Sequence, residues 1–372
     1  MSCHISVIEV AYCCDNLSSF GNVMKLLLAT DAWLPQINGV VTTLTTMVNL
    51  LRDKGHTVEV IAAGDYPSIP LPSYPEIKIS FWLKGLKKRI DDFRPDAIHI
   101  ATEGPIGQWT RRHCLKAGYT FTTSFHTRFP EYINERLPIP LGWTYPSVRN
   151  FHRPAFRTLV PTQALKEDLI AKGFRHLEVW GRGVDTELFN PENRHDLGLP
   201  GPVQLYVGRV APEKNLESFL DLSSGGSKVI VGDGPDLKKL RDKYPEVHFV
   251  GAKQGLDLAG YFAAADVFVF PSLTDTFGIV MIEAMAAGTP VAAFPVTGPV
   301  DVIEQGETGY MDENLQVAIE QALLLNPEVC RLKAAQRSWN KINEQFIKAL
   351  MPINCDSRDS MDRAQSASVC AG

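Results

Sequence analysis

Two acids stand eight residues apart in SLTDTFGIVMIEAMAAGTP, residues 272–290: Asp275 and Glu283. Eight residues is a little over two helical turns, so an acid just before a helix and one inside it share a side. The small turn Phe277-Gly278 lies between them. A helix start there, with Ile279 in its first turn, carries unpaired N–H groups and the positive end of the helix dipole. That combination suits a phosphate or the oxygens of a sugar. Glu283 is flanked by Val280, Met281, Ile282, Ala284 and Met285, where a solvated acid is not expected. An N-cap acid followed by a half-exposed glutamate on a packed helix accounts for the same pair without any ligand.

Cations and a histidine stand at comparable positions elsewhere. The apolar run Val203–Val207 stops at Gly208-Arg209, with Lys214-Asn215 close behind. Arg offers a planar fork and Lys a point charge, a pairing that suits a diphosphate; ordinary solvated charges are the alternative. His126 follows the strand Tyr119–Ser124. Ligands of parallel sheets bind beyond the carboxyl ends of strands, so His126 is either a reacting group or a satisfied structural residue. The loop Pro35–Gly39 turns into a helix at Asn38-Gly39, where a glycine lets backbone approach a phosphate, although most Asn-Gly pairs are only turns. Gly251-Ala252-Lys253 is a further loop after a strand.

The elements that carry these residues alternate. Apolar runs at 24–30, 57–62, 97–101, 119–124 and 158–161, separated by helical periodicities near 40–51, 105–117 and 163–172, predict βαβ units and a parallel sheet. The pattern begins again with strands at 203–207, 228–231, 247–250, 266–270 and 289–294, and helices at 236–243, 256–264 and 299–304. Two amphipathic helices follow near 314–325 and 328–350. Residues 65–76 read as a proline-rich loop. Trp82–Phe93 reads as an amphipathic helix with Trp82, Leu86, Ile90 and Phe93 on one face and Lys84, Lys87, Lys88 and Arg89 as its cations. It is either an ordinary surface helix or a contact for an anionic membrane. Residues 128–157 interleave aromatic and basic side chains (Phe129, Tyr132, Trp143, Tyr145; Arg128, Arg136, Arg149) that line an acceptor groove or simply pack.

A chain of 372 residues is natural for two domains. The expected division is an appendage at 1–23, a first domain at 24–180, a linker at 181–202, a second domain at 203–330, a crossing helix at 331–351 and a disordered tail at 352–372. The composition, 45% hydrophobic and 21% charged, is that of a globular protein, and no run of eighteen apolar residues is present. Residues 1–23 lack the basic start and apolar core of a signal peptide. Seven scattered cysteines without a C-x2-C pair indicate reduced, cytosolic usage and neither a disulfide frame nor a zinc site. Residues 24–180 hold 20 Lys+Arg against 14 Asp+Glu, and residues 181–372 hold 17 against 26. A basic first half joined to an acidic second half points to an anionic partner for the first.

Taken together, Gly39, His126, Gly208-Arg209 with Lys214-Asn215, and Asp275-x7-Glu283 followed by EAMAAGTPV resemble a retaining GT-B glycosyltransferase of family 4 over about residues 24–350. The resemblance implies an α/β architecture of two Rossmann-like domains facing a central cleft, with the nucleotide-sugar donor mainly on the second and the acceptor mainly on the first. Carried over by position, Arg209 and Lys214 hold the donor diphosphate. Asp275 meets sugar hydroxyls, and Phe277, Gly278 and Ile279 offer backbone N–H groups. Glu283 binds the ribose, the loop with Gly251 and Lys253 touches the nucleobase, Gly39 leaves room for the diphosphate, and His126 contacts the transferred sugar. The family motif usually begins with Glu. Asp275 is one methylene shorter, so the hydroxyl contact shifts or the donor differs. The T-D-T-F-G form resembles a subgroup that includes bacterial lipid and mannose transferases.

The expectation is therefore a metal-independent hexosyltransferase without cofactor, moving a hexose or uronic acid, with a UDP-sugar favoured, to a membrane lipid such as diacylglycerol. A GDP-mannose-dependent mannosyltransferase acting on a lipid-linked or soluble glycan, a nucleotide-sugar epimerase and a non-catalytic nucleotide-sugar-binding protein are the competing readings. The expected place is the cytoplasm, peripherally on the inner face of the cytoplasmic membrane, with no nucleic-acid partner.

Overall fold

Short runs such as Leu26–Thr30, in which every side chain is buried, need cover on both faces, which a parallel sheet between helices provides. The computed structural model describes residues 23–354, apart from 37, 72, 73, 129 and 132–140. Residues 1–22 of the appendage expected at 1–23, residues 355–372 of the tail expected at 352–372, and Phe129, Tyr132 and Arg136 of the aromatic stretch thus lie outside the described residues.

The first domain contains strands β1 (Lys25–Thr30), β2 (Thr57–Ala62), β3 (Ser68–Leu71), β4 (Tyr74–Ser80), β5 (Ala97–Ile100), β6 (Thr122–Ser124), β7 (Thr158–Val160) and β8 (Leu177–Val179). Six of them form a parallel sheet in the order β2-β1-β5-β6-β7-β8. Helix α1 (Gly39–Asp53) buries Val41, Leu44, Met47, Val48 and Leu51 against it. Its start is set by Asn38, whose side chain accepts from the N–H groups of Val40 and Val41 at 3.1 and 3.0 Å. In the second domain, β9 (Val203–Val207), β10 (Ser227–Val231), β11 (His248–Gly251), β12 (Val267–Phe270), β13 (Val291–Ala293) and β14 (Gly309–Met311) form a parallel sheet in the order β11-β10-β9-β12-β13-β14. The strand order reverses beside β1 in one sheet and beside β9 in the other, and such reversals open a crevice at the carboxyl ends of the strands.

Five expectations need correction. Residues 65–76 are not all loop: β3 and β4 pair as an antiparallel hairpin, with Pro70 opposite Lys78. A two-stranded ribbon is all edge, and an edge tolerates a proline that cannot donate. The helix expected from Trp82 begins only at Leu86, because Gly85 at φ 89° breaks the run. Leu83, Leu86 and Ile90 are buried there, while Trp82 stays 61% exposed. Arg89 is tied to Glu59 and Asp65, both at 2.6 Å, and so is no free surface cation.

Residues 181–202 are not a loose linker. Val184 and Phe189 enter the second core, where Phe189 meets Phe262 edge-on at 5.7 Å. The expected helix at 328–350 is two helices. Pro327–Ala334 packs on the second domain against helix Ile279–Ala286, whereas Trp339–Ala349 is capped by Ser338 and crosses to α1. That last helix sends Ile342, Phe346 and Ala349 into the first core. Residues 352 and 353, expected within the tail, pair with the first domain instead: Pro352 bridges Ala97, and the N–H groups of Ile353 and Thr120 donate to the carbonyls of Asp96 and Ile353.

Candidate active site in the interdomain cleft

Arg209 and Asp275 leave neighbouring strands, β9 and β12, at the point where the second sheet reverses. After β9 the chain makes the short turn Pro212–Lys214, closed by Asn215 in the left-handed region at φ 52°. The Asn215 amide donates to the Pro271 carbonyl at 3.2 Å, which ties this turn to the end of β12. The result is that Lys214 Nζ lies 2.7 Å from each carboxylate oxygen of Asp275. Gly278, at φ 78°, then starts the helix Ile279–Ala286. A side chain there would meet the Phe270 ring at 2.8 Å, so glycine is required by conformation and by space.

The first domain reaches this loop at several points. Thr276 Oγ1 donates to the His126 carbonyl at 2.6 Å. Arg128 donates to Thr297 Oγ1 at 3.2 Å, and the Ala164 N–H to Asp301 Oδ1 at 3.0 Å. Gly39 faces the start of the donor-side helix, where an added Cβ would stand 3.6 Å from the Ile279 side chain. Two helix N-termini, those at Gly39 and Ile279, thus meet across the cleft.

His126 is buried. Its Nδ1 lies 3.0 Å from Arg182 Nη2, and its Nε2 is buried without a hydrogen-bond partner among the described residues. Burial first, and then the neighbouring Arg182, His99 and His152 charges, hold its pKa well below the usual imidazole value. Arg182 is the residue that sequence reasoning missed, because Gly181-Arg182-Gly183 reads as linker. The available signal was an arginine two residues beyond Trp180, at the apolar end of a strand. Its guanidinium donates to the carbonyls of Trp180 and Gly181 at 2.7 and 2.8 Å. It also lies 4.7 Å from the Trp180 ring and 6.0 Å from the Phe277 ring.

Glu283 is just over one turn into its helix, 9% exposed, and its carboxyl makes no hydrogen bond among the described residues. Desolvation pushes its pKa up to about 7. Gly251 and Lys253 belong to the far side of the second sheet, where Gly251 ends β11. Lys253 Nζ lies 3.3 Å from Asp257 and stands over the Tyr261 ring. The structure therefore gathers Lys214, Asp275, Thr276, Phe277, His126 and Arg182 at one junction, with Gly39 and Ile279 beside it. It sets Glu283 deeper along the helix and Gly251-Lys253 at the sheet edge. Fixed cations, a helix start and hydroxyl-accepting carboxylates in one partly dry cleft can stabilise charge leaving on a phosphate while orienting a polyol.

Two Rossmann-like sheets facing a cleft of this kind define the GT-B fold. Residues 37–188 match the family described as Glycosyltransferase Family 4, and residues 201–325 match Glycosyl transferases group 1. The chain belongs to glycosyltransferase family 4 and acts on nucleotide sugars. It is 31% identical to a GDP-mannose-dependent alpha-mannosyltransferase of Mycolicibacterium smegmatis, over 90% of this chain and 95% of that protein. It is 25% identical to an alpha-monoglucosyldiacylglycerol synthase of Streptococcus pneumoniae, over 90% of this chain and 86% of that protein. In fold it is similar to the sucrose-phosphate synthase of Thermosynechococcus elongatus, with a TM-score of 0.71 at 21% identity over 87% of this chain and 96% of that one.

Proposed function

We propose that the protein transfers a hexosyl or uronosyl group, with retention, from a nucleotide sugar to a membrane-lipid acceptor such as diacylglycerol. The observation that carries this reading is the convergence of Lys214, Asp275, Thr276 and His126 at the domain junction. In this reading Arg209 and Lys214 take the diphosphate, and Asp275 takes sugar hydroxyls. The N–H groups of 277–279 face the leaving phosphate, Gly39 leaves it room, and His126 donates to the sugar. The 251–253 loop meets the base. Departure of the diphosphate builds charge where the cations already stand, and its oxygen takes the acceptor proton. Because fixed cations occupy this role, turnover is expected to survive a chelator.

Lipid as acceptor is supported by the basic first domain, by exposed Phe81 and Trp82 beside exposed Lys84, Lys87 and Lys88, and by the diacylglycerol-acting relative. No helix among the described residues is long and apolar enough to cross a membrane, so lipid would be met from its surface. A second reading, mannosyl transfer from GDP-mannose, is favoured by the relative of higher identity, 31% against 25% over the same 90% of this chain. The test is incubation with a lipid extract and a panel of labelled UDP-hexoses, UDP-uronic acid and GDP-mannose, with products identified by mass. A labelled lipid is expected, together with salt-sensitive co-sedimentation on anionic vesicles. Label found only in water-soluble glycan, or vesicle binding indifferent to salt and lipid charge, would overturn the lipid assignment.

The ribose role of Glu283 has its own signature. An ionised carboxylate accepts from both ribose hydroxyls, and charge-assisted bonds exceed neutral ones by about 1–1.5 kcal/mol. With its pKa raised to about 7, Glu283 is mostly neutral below that pH and ionised above it. Nucleotide-sugar affinity is therefore expected to rise roughly ten-fold between pH 6 and 8, because 1.4 kcal/mol is a factor of ten. The phosphates of a nucleotide sugar are diesters and do not titrate in that range. Calorimetry should show the rise in wild type and a flat profile in Glu283→Gln. An unchanged slope in the variant would remove Glu283 from the ribose.

A further inference from the structure

We infer that Arg182 is a positioning residue for sugar transfer: it locks His126 as the Nε2–H tautomer and so leaves one unspent N–H donor at the domain junction. The argument is chemical. A guanidinium only donates, so at 3.0 Å from Arg182 Nη2 the His126 Nδ1 can only accept. The ring proton of a neutral His126 must then sit on Nε2, the buried nitrogen that has no partner among the described residues. A buried donor left unmatched costs free energy unless something arrives to accept from it. The junction where it lies, pinned by Thr276 to the His126 carbonyl, faces the loop that carries Asp275. A substrate oxygen, from sugar hydroxyl or phosphate, is the chemistry that fits.

Arg182 is itself held to this task. Two backbone carbonyls fix its Nη1, the Trp180 ring stacks on it, and no carboxylate hydrogen-bonds it among the described residues. The groups facing His126 favour its neutral form from each side. Arg182 is cationic, and His99 is buried between Thr122 and Ser124 with its pKa lowered to about 3. His152 is paired with Glu103, and Asp275 on the opposite loop is matched by Lys214.

This inference rests on the transferase reading for its purpose, and its test separates the two. Ring-nitrogen shifts of the full chain labelled with 15N-histidine, with His126 assigned by difference from His126→Gln, report the tautomer without any turnover. In wild type Nδ1 should be pyridine-like and Nε2 pyrrole-like from pH 5.5 to 8.5. Arg182→Met should mix the tautomers and raise the pH at which His126 takes a proton, although burial still holds it down, and Arg182→Lys should fall between. A protonated Nδ1 in wild type overturns the proposal even if neither Arg182 variant folds. In turnover, Arg182→Met is expected to lower kcat about ten- to a hundred-fold, the scale of a small misplacement. Donor KM should change less than about three-fold, and the acidic limb of the pH–rate profile should move upward relative to wild type. Combined with His126→Gln it should add less than a further two-fold. Fully additive losses would show that Arg182 does not act through His126. A wild type that turns over no nucleotide sugar would refute the transferase reading and with it the purpose of the lock, while the ring shifts would still decide the tautomer.

Discussion

Lys214→Ala is expected to lower turnover of the nucleotide sugar by roughly a hundred- to a thousand-fold, the range seen when one preorganised group facing developing charge is removed. The ammonium lies 2.7 Å from both oxygens of Asp275, with side-chain exposures of only 18% and 19%. Its position is also preset: the Asn215 amide and the Ser272 hydroxyl tie the 212–215 turn to the end of β12 at 3.2 and 3.5 Å. Truncation therefore removes two things at once, a cation for the diphosphate and the counter-charge of a mostly buried carboxylate. A double-mutant cycle separates them. If Lys214 serves the diphosphate, Lys214→Ala should still cost ten-fold or more in an Asp275→Asn background. If it serves only to neutralise Asp275, that cost disappears, and the diphosphate role falls. Lys214→Arg should not rescue fully, because the longer planar fork can pair both Asp275 oxygens but spreads its charge away from the position where the ammonium would meet the diphosphate.

Much of this site was legible in sequence because its parts follow local rules. Asp275 and Glu283 share a helix start, Arg209 and Lys214 follow a buried strand, and the strand–helix alternation dictates two parallel sheets. What was not legible depends on distant partners. Arg182 is made significant by His126, 56 residues away, and by carbonyls that look like linker backbone. Residues 184–189 read as linker because Gly, Asn and Asp dominate the surroundings, yet Val184 and Phe189 supply apolar surface to the second core. The hairpin at 68–80 was hidden by prolines that only an edge strand accommodates. The break between the last two helices is marked by Ser338, a single capping side chain inside an otherwise helical composition. Its neighbour in space, Val184, completes the crossing through a bridge between the two segments that join the domains.

That crossing makes Phe346 the apolar side chain with the largest expected consequence. It is 2% exposed, and its ring lies 4.9 Å from Trp180 and 5.0 Å from His99. Trp180 in turn donates its Nε1–H to the Ile342 carbonyl at 3.2 Å, and its ring lies 6.0 Å from His126 and 4.7 Å from the Arg182 guanidinium. Phe346→Ala should cost about 3–5 kcal/mol, the transfer and cavity penalty of a buried aromatic. For a domain of this size that lowers the melting temperature by roughly 6–20 °C. Phe346→Leu, which refills most of the volume, should recover the larger part. The ring also backs the wall on which His126 and Arg182 stand. Turnover in Phe346→Ala is therefore expected to drop several-fold well below its own melting temperature, where calorimetry shows the protein folded. Activity that follows the folded fraction alone would mean that the last helix only stabilises the first domain. A loss that precedes unfolding would mean that the strand end carrying His126 is held in register by a helix arriving from the second domain, so that joining the domains and arming the site are one packing event.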